Sequence, residues 1–242
     1  MIFRKGELKI LWPFYLYTFL FGVSSMIIPF MIIYFRDLGF SFFQITLITG
    51  IFAVTETLME VPTGAFADAH GRKLSVIMGF MIASFAIFLI PFMESFIFLL
   101  AAWALAGLGI SFANGAEESW VIDNLNKLRR KDLHQEFFIK DMSITSFGAV
   151  FAPLIGALIV RHNPIDVLWF IFGAGFLLNS LILLLFAPEL RKKPSKTTVV
   201  KSVKRMAKDT HKGLKFTLSH RKILLIITAG IFFLLMEIGE DG

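Results

Sequence analysis

Six stretches of this chain are each apolar for long enough to cross a lipid bilayer, which takes about 20 residues in a helix. They run over 10–35, 42–66, 74–93, 96–120, 142–160 and 167–187. A seventh opens at Ile223 and stays apolar to Met236, before Glu237, Glu240 and Asp241. In hydrocarbon every backbone N–H and C=O must be bonded internally, so only helices and closed barrels can span. Runs of this length specify helices. The fold class expected is therefore an all-α polytopic membrane protein, a six-helix bundle followed by a loop and the start of a seventh helix. Composition agrees: at 56% hydrophobic and 17% charged, with 29 phenylalanines, too few polar residues remain to cover a soluble domain. An ordinary soluble enzyme and a disordered chain are both excluded. The absence of cysteine removes disulfides, thiol catalysis and Cys-type zinc sites.

The basic residues give the expected orientation. Of the 24 lysines and arginines, all but Arg36 and Arg161 fall at one end of the alternating spans, which places the N-terminus and the long loop in the cytoplasm. The first run is too long, and lacks a following small-residue cleavage site, to read as a signal peptide. Three regions follow: 1–187, a six-helix membrane unit; 188–222, a basic cytoplasmic loop; and 223–242, an incomplete seventh helix. The loop carries twelve basic residues against Glu189 and Asp209. Within it Val199, Val203, Met206, Ala207 and Leu214 recur at helical spacing, with Lys201, Lys204, Lys208 and Lys215 on other faces. Such a helix would lie on an anionic membrane surface, attracted by about 1 kcal/mol per basic residue. Topology and the membrane surface account for this charge, so no nucleic-acid partner is expected.

Between the second and third runs stands Gly64-Ala65-Phe66-Ala67-Asp68-Ala69-His70-Gly71-Arg72-Lys73. By its residues alone this is a tight turn: Gly64 would permit close helix approach, Gly71 backbone freedom, and Asp68, Arg72 and Lys73 would put charge at the interface. The spacing Gly64-x-x-x-Asp68-x-x-Gly71-Arg72-Lys73 resembles the signature loop of the major facilitator superfamily, with Ala69 where a basic residue is usual. The preceding Glu60-Val61-Pro62-Thr63-Gly64 resembles a bacterial and archaeal subset associated with drug or small-molecule efflux. The resemblance implies that Asp68 caps a helix in an opposite transporter half. It also implies that Arg72 pairs with an acid at the inner end of the fourth helix, Asp123 first and Glu118 second, latching the outward-open state. The structural alternative is that Arg72 and Lys73 only set topology.

Two further motifs are weaker. Gly148-x-x-x-Ala152-Pro153-x-x-Gly156 in the fifth run is similar to the antiporter motif of efflux-type facilitators, and equally to a generic small-residue packing seam. Leu100-x-x-Trp103-x-x-x-Gly107-x-Gly109 resembles the fourth-helix motif of proton-linked facilitators, but Trp103 stands where that motif has arginine. Proton coupling by that arginine is thereby put in doubt.

Glu56 and Glu60 lie four apart and share one helix face with Thr49, Ala53 and Thr57. A charge at mid-membrane costs about 2.5–3.5 kcal/mol on insertion scales, so such a residue faces the bundle interior or water. Glu56 and Thr49 are candidate cavity residues, with Glu56 binding a cation or carrying a proton, and Glu60 a hydrogen-bonding or gating group; structural polar contact is the alternative for both acids. Glu117 and Glu118 are adjacent at the inner end of the fourth run and point about 100° apart, so at most one can face a cavity squarely; solvation at the interface is the preferred reading. His70, His134, His162, His211 and His220 fall in or beside loops without ligand spacing, so no metal site is expected, and no cofactor or catalytic motif is found.

The resemblance implies a secondary transporter of a small organic solute, acting by alternating access and exporting it, with protons as a candidate coupling ion and the bilayer of the cell membrane as its setting. A non-transporting scaffold or sensor, an inactive truncated fragment and a polytopic enzyme are the alternatives, the last lacking a catalytic cluster. The length fits one facilitator half, the central linker and the first turns of a second half, so a second half or another chain is the expected partner.

Overall fold

A computed structural model describes residues 3–189. The expected loop over 188–222, its amphipathic helix and the seventh run over 223–242 lie outside the described residues, apart from Pro188 and Glu189. Among the described residues the elements are all helical, and six are long and apolar enough to span a membrane. They are α1 (Glu7–Asp37), α2 (Phe42–His70), α3 (Arg72–Phe92), α4 (Phe96–Lys127), α5 (Lys131–Val160) and α6 (Asp166–Phe186).

Where helices begin and end follows local chemistry. At the start of α2 the Ser41 hydroxyl accepts from the Gln44 amide at 3.3 Å while the Gln44 side chain accepts from the Ser41 amide at 2.9 Å, a reciprocal cap that satisfies two orphan donors. Gly71, at φ 113°, breaks the chain between α2 and α3, a conformation that favours glycine. α1 is not the uninterrupted helix that its apolar run suggested. Its α-helical part stops at Ser24, a 3-10 stretch covers Ser25–Phe30, and α-helix resumes at Met31. Pro29 lies in the break; it has no N–H to donate, and its ring clashes with an α-helical turn before it.

Three helices extend past their apolar runs. α2 continues to His70, α4 to Lys127, and α5 starts at Lys131 rather than near 142. Their polar ends are still good helix formers, so hydrophobicity stops before the helix does. Asp123, Lys140 and Asp141 consequently sit on helices rather than in a loop.

α1, α3, α4 and α6 form the centre of the bundle. α4 packs on α2 and α3, and α1 packs on α5 and α6, so the same arrangement occurs twice. Contacts between helices rely on close backbone approach, which in lipid supplies van der Waals contact that apolar bulk alone does not. A Cβ on Gly148 would stand 2.9 Å from the Val23 amide, and one on Gly107 would stand 2.5 Å from the Phe52 carbonyl oxygen. Gly64 behaves otherwise: among the described residues a Cβ there would meet nothing within 4 Å. α2 and α5 lie outermost, exposing Val54, Leu58, Met142, Phe147, Leu154 and Leu158. The chain is a multi-pass membrane protein, its six described spans long and apolar enough to cross a bilayer.

Candidate functional site

Polar groups inside this bundle collect in several places. The first is the loop between α2 and α3. Arg72 reaches α4, where one guanidinium nitrogen donates to the Ser119 carbonyl at 2.5 Å and to Asp123 Oδ2 at 2.7 Å. Asp68, one turn before Arg72, is exposed and only 3.8 Å from it across a second nitrogen. The structure thus brings Arg72 and Asp123 together and leaves the Asp68 carboxylate largely to solvent. Lys73 turns away from its neighbour and donates to the carbonyls of Leu184 and Ala187 at the end of α6, each at 2.9 Å. Gly71 supplies the turn from which the two basic residues diverge.

The second place is a polar layer in the interior. Tyr17 and Thr18, adjacent on α1, reach two different helices: the Tyr17 hydroxyl donates to Glu117 on α4, and the Thr18 hydroxyl donates to Asp141 on α5 at 2.6 Å. Adjacent helical positions point about 100° apart, which is how one dipeptide serves two neighbours. At about 1.5 Å per residue, Glu117 and Asp141 each lie roughly 7–8 Å from the middle of their helix, toward the basic end. The expectation that Glu117 is solvated at the interface is corrected by its bond to Tyr17; Glu118 is exposed.

Glu56 falls at the middle of α2, half-buried, and accepts from the Asn114 amide of α4 at 2.6 Å. Glu60 is exposed on the same helix. Thr49 is half-buried, and its hydroxyl donates back to the Ile45 and Thr46 carbonyls of its own turn. These three candidates do not converge with the Tyr17 layer into one set of mutual contacts. In α5, Gly148, Ala152 and Gly156 are buried; Gly148 lies on Gly22 and Val23, and Gly156 on Met26 and Phe30, beside the break in α1. Pro153 is half-buried in the same helix. Trp103 lies among the rings of Phe35, Phe52 and Trp169. Among the described residues no group of three or more histidine or acidic side chains is placed to hold a metal ion.

Sequence reasoning missed Tyr17, Thr18 and Asp141. Their one visible signal was a polar dipeptide in an apolar run and an acid at the edge of another. It also missed a network at the N-terminus. Glu7, fully buried, accepts from Lys140 at 2.7 Å and 2.8 Å, from the Tyr15 hydroxyl at 2.8 Å and from the Arg4 amide at 2.7 Å. Arg4 in turn pairs with Glu136 at 2.5 Å.

These features define a multi-pass helical membrane protein with ionisable groups held between its spans. The sequence profile of the Major Facilitator Superfamily matches residues 14–238, nearly the whole chain, and the protein belongs to that superfamily. It is 29% identical over 109 residues to the uncharacterised MFS-type transporter YxaM of Bacillus subtilis, covering 45% of this chain and 27% of that protein. An uncharacterised MFS-type transporter of Methanocaldococcus jannaschii is 25% identical over 166 residues, covering 69% of this chain and 42% of the relative. The vesicular acetylcholine transporter of Torpedo marmorata is 27% identical over 133 residues, covering 55% and 25%. The chain thus matches well under half the length of these relatives. No solved structure matches it significantly.

Proposed function

We propose that this chain belongs to a secondary transporter that exports a small organic solute across the cell membrane by alternating access, with its N-terminus and basic linker in the cytoplasm. The observation that carries the reading is the layer of Tyr17–Glu117 and Thr18–Asp141 contacts. Two carboxylates on two helices, each bonded to a hydroxyl of a third, form an arrangement that an apolar bundle does not need for packing. Intramembrane acids of this kind mark ion or substrate pathways. In this reading Glu117 and Asp141 take up and release the coupling proton, while Glu56, beside Asn114, and Thr49 face the solute and Glu60 gates its path.

Arg72 and Asp123 act as the latch between α3 and α4, with Asp68 left to engage a second transporter half. The seam of Gly148, Ala152, Pro153 and Gly156 lets α5 slide against α1 near its break. Export rests on the likeness of Glu60-Val61-Pro62-Thr63-Gly64 and of the α5 seam to efflux-type facilitators. An organic cation is the first solute to test, because the interior acids would attract one and because one relative is named as an acetylcholine transporter.

The test is uptake of labelled acetylcholine, or of a small panel of organic cations, into inside-out vesicles with an imposed pH gradient. Gradient-dependent accumulation is expected, with an altered pH profile in Glu117→Gln and Asp141→Asn. Asp68→Asn should lower uptake without lowering membrane insertion. Accumulation that ignores the gradient removes the proton role, equal loss of insertion and uptake in Asp68→Asn removes the latch, and no accumulation of any cation removes the substrate class.

A further inference from the structure

The end of α6 is held by side chains from elsewhere in the bundle. The last carbonyls of a helix have no partner within it and need one from outside. Lys73 supplies donors to Leu184 and Ala187. One residue beyond, the Pro188 carbonyl accepts from two side chains of α4, Trp120 Nε1 at 3.1 Å and Asn124 Nδ2 at 2.8 Å. Proline has no N–H, so this carbonyl is its only backbone hydrogen-bonding group. Both donors are buried, at 3% and 2% exposed. Two buried side chains on one carbonyl fix the chain just past the end of α6.

The same turn of α4 holds the charged loop. Ser119 and Asp123, four apart, share one face and receive Arg72. Trp120 and Asn124, also four apart, occupy the next face and hold Pro188. Arg72 and Lys73 are consecutive residues, one gripping α4 and the other α6. Loop, α4 and the exit of α6 therefore form a closed triangle of bonds.

We propose that Lys73, Trp120 and Asn124 are positioning residues that couple the Gly71–Lys73 loop to the point where the chain leaves α6, so that releasing Arg72 from Asp123 also loosens 184–189. The coupling is a property of the bundle and stands whether or not a solute is carried. It makes the Gly71–Lys73 loop and the end of α6 respond to one another.

Hydrogen exchange of the whole chain in lipid nanodiscs tests this. Asn124→Leu and Lys73→Met should each speed exchange over 184–189 by at least about tenfold, with Lys73→Arg restoring most of the protection. Arg72→Met removes the bonds to Ser119 and Asp123 and none to 184–189, yet should speed exchange there by at least about threefold. Should Asn124→Leu fail to fold, Trp120→Phe removes a donor to the same carbonyl while keeping an aromatic ring. The proposal is overturned if Arg72→Met loosens only 68–73 and leaves 184–189 within twofold of the parent. It is equally overturned if neither donor variant changes exchange at the exit.

Discussion

At one end of the bundle Arg4, Glu7, Lys140, Arg72, Asp123 and Lys73 tie helices together through charged, directional bonds. At the other end Tyr34, Phe35, Phe40, Trp103 and Trp169 meet ring against ring. There the indole nitrogens of Trp103 and Trp169 are buried without a hydrogen-bond partner among the described residues. The contrast separates two ways of joining helices in lipid. Charged bonds fix one geometry and lose most when a single partner is removed. Aromatic contacts depend on shape and area, tolerate several offset geometries, and lose little when a hydrogen-bonding atom that bonds nothing is deleted.

The largest effect expected from breaking this contrast is at Lys140. Lys140→Met leaves the buried carboxylate of Glu7 without its cation, and breaking a buried pair in this way costs about 3–5 kcal/mol. The Tyr15 hydroxyl and Arg4 amide remain, so a value near the lower limit is expected in denaturant unfolding. A loss below about 1 kcal/mol would mean that the basic end is no more dependent on its charges than the aromatic end.

Next comes Gly107→Ala, near the aromatic end. The new methyl would meet the Phe52 carbonyl, which is backbone and cannot swing aside. A cost of about 1–3 kcal/mol is expected in thermal unfolding, as for overpacking generally. A neutral result would show that α2 can move away from α4 freely.

A matched pair sharpens the comparison further. Trp120→Phe removes an N–H bonded to Pro188, whereas Trp169→Phe removes an N–H with no partner among the described residues. Both indoles are buried, so the lost area is similar. Trp120→Phe should cost about 1 kcal/mol more, the net worth of one hydrogen bond. Equal costs would place both indoles in the same class of contact. The smallest effect belongs to Gly64→Ala, where open space surrounds the new methyl; a change within about 0.5 kcal/mol is expected. A larger loss would reveal a contact that the described bundle does not make.

Much of the fold was legible because hydrocarbon imposes a simple rule: an apolar run of sufficient length becomes a spanning helix. The candidate site was legible only in its local part. Gly71-Arg72-Lys73 could be recognised as a charged turn, but nothing in the spacing placed Lys73 on the carbonyls of α6 or Asn124 on Pro188. Gly64 was read as permitting a close approach, and among the described residues nothing lies within 4 Å of a Cβ placed there, because small size permits contact without requiring it. Glu117 was read as solvated because its one specific donor, Tyr17, lies a hundred residues away.

The sequence by itself therefore determined the six spans among the described residues, their approximate limits and the setting in a bilayer, all of which depend on local hydrophobicity summed over about 20 residues. Tertiary structure decided which polar groups meet. Tyr17 with Glu117, Thr18 with Asp141, Lys140 with Glu7 and Trp120 with Pro188 all join residues distant in the chain. Such pairs are set by helix rotation and depth, and a periodic apolar pattern fixes neither closely when lipid and neighbouring helices are equally apolar.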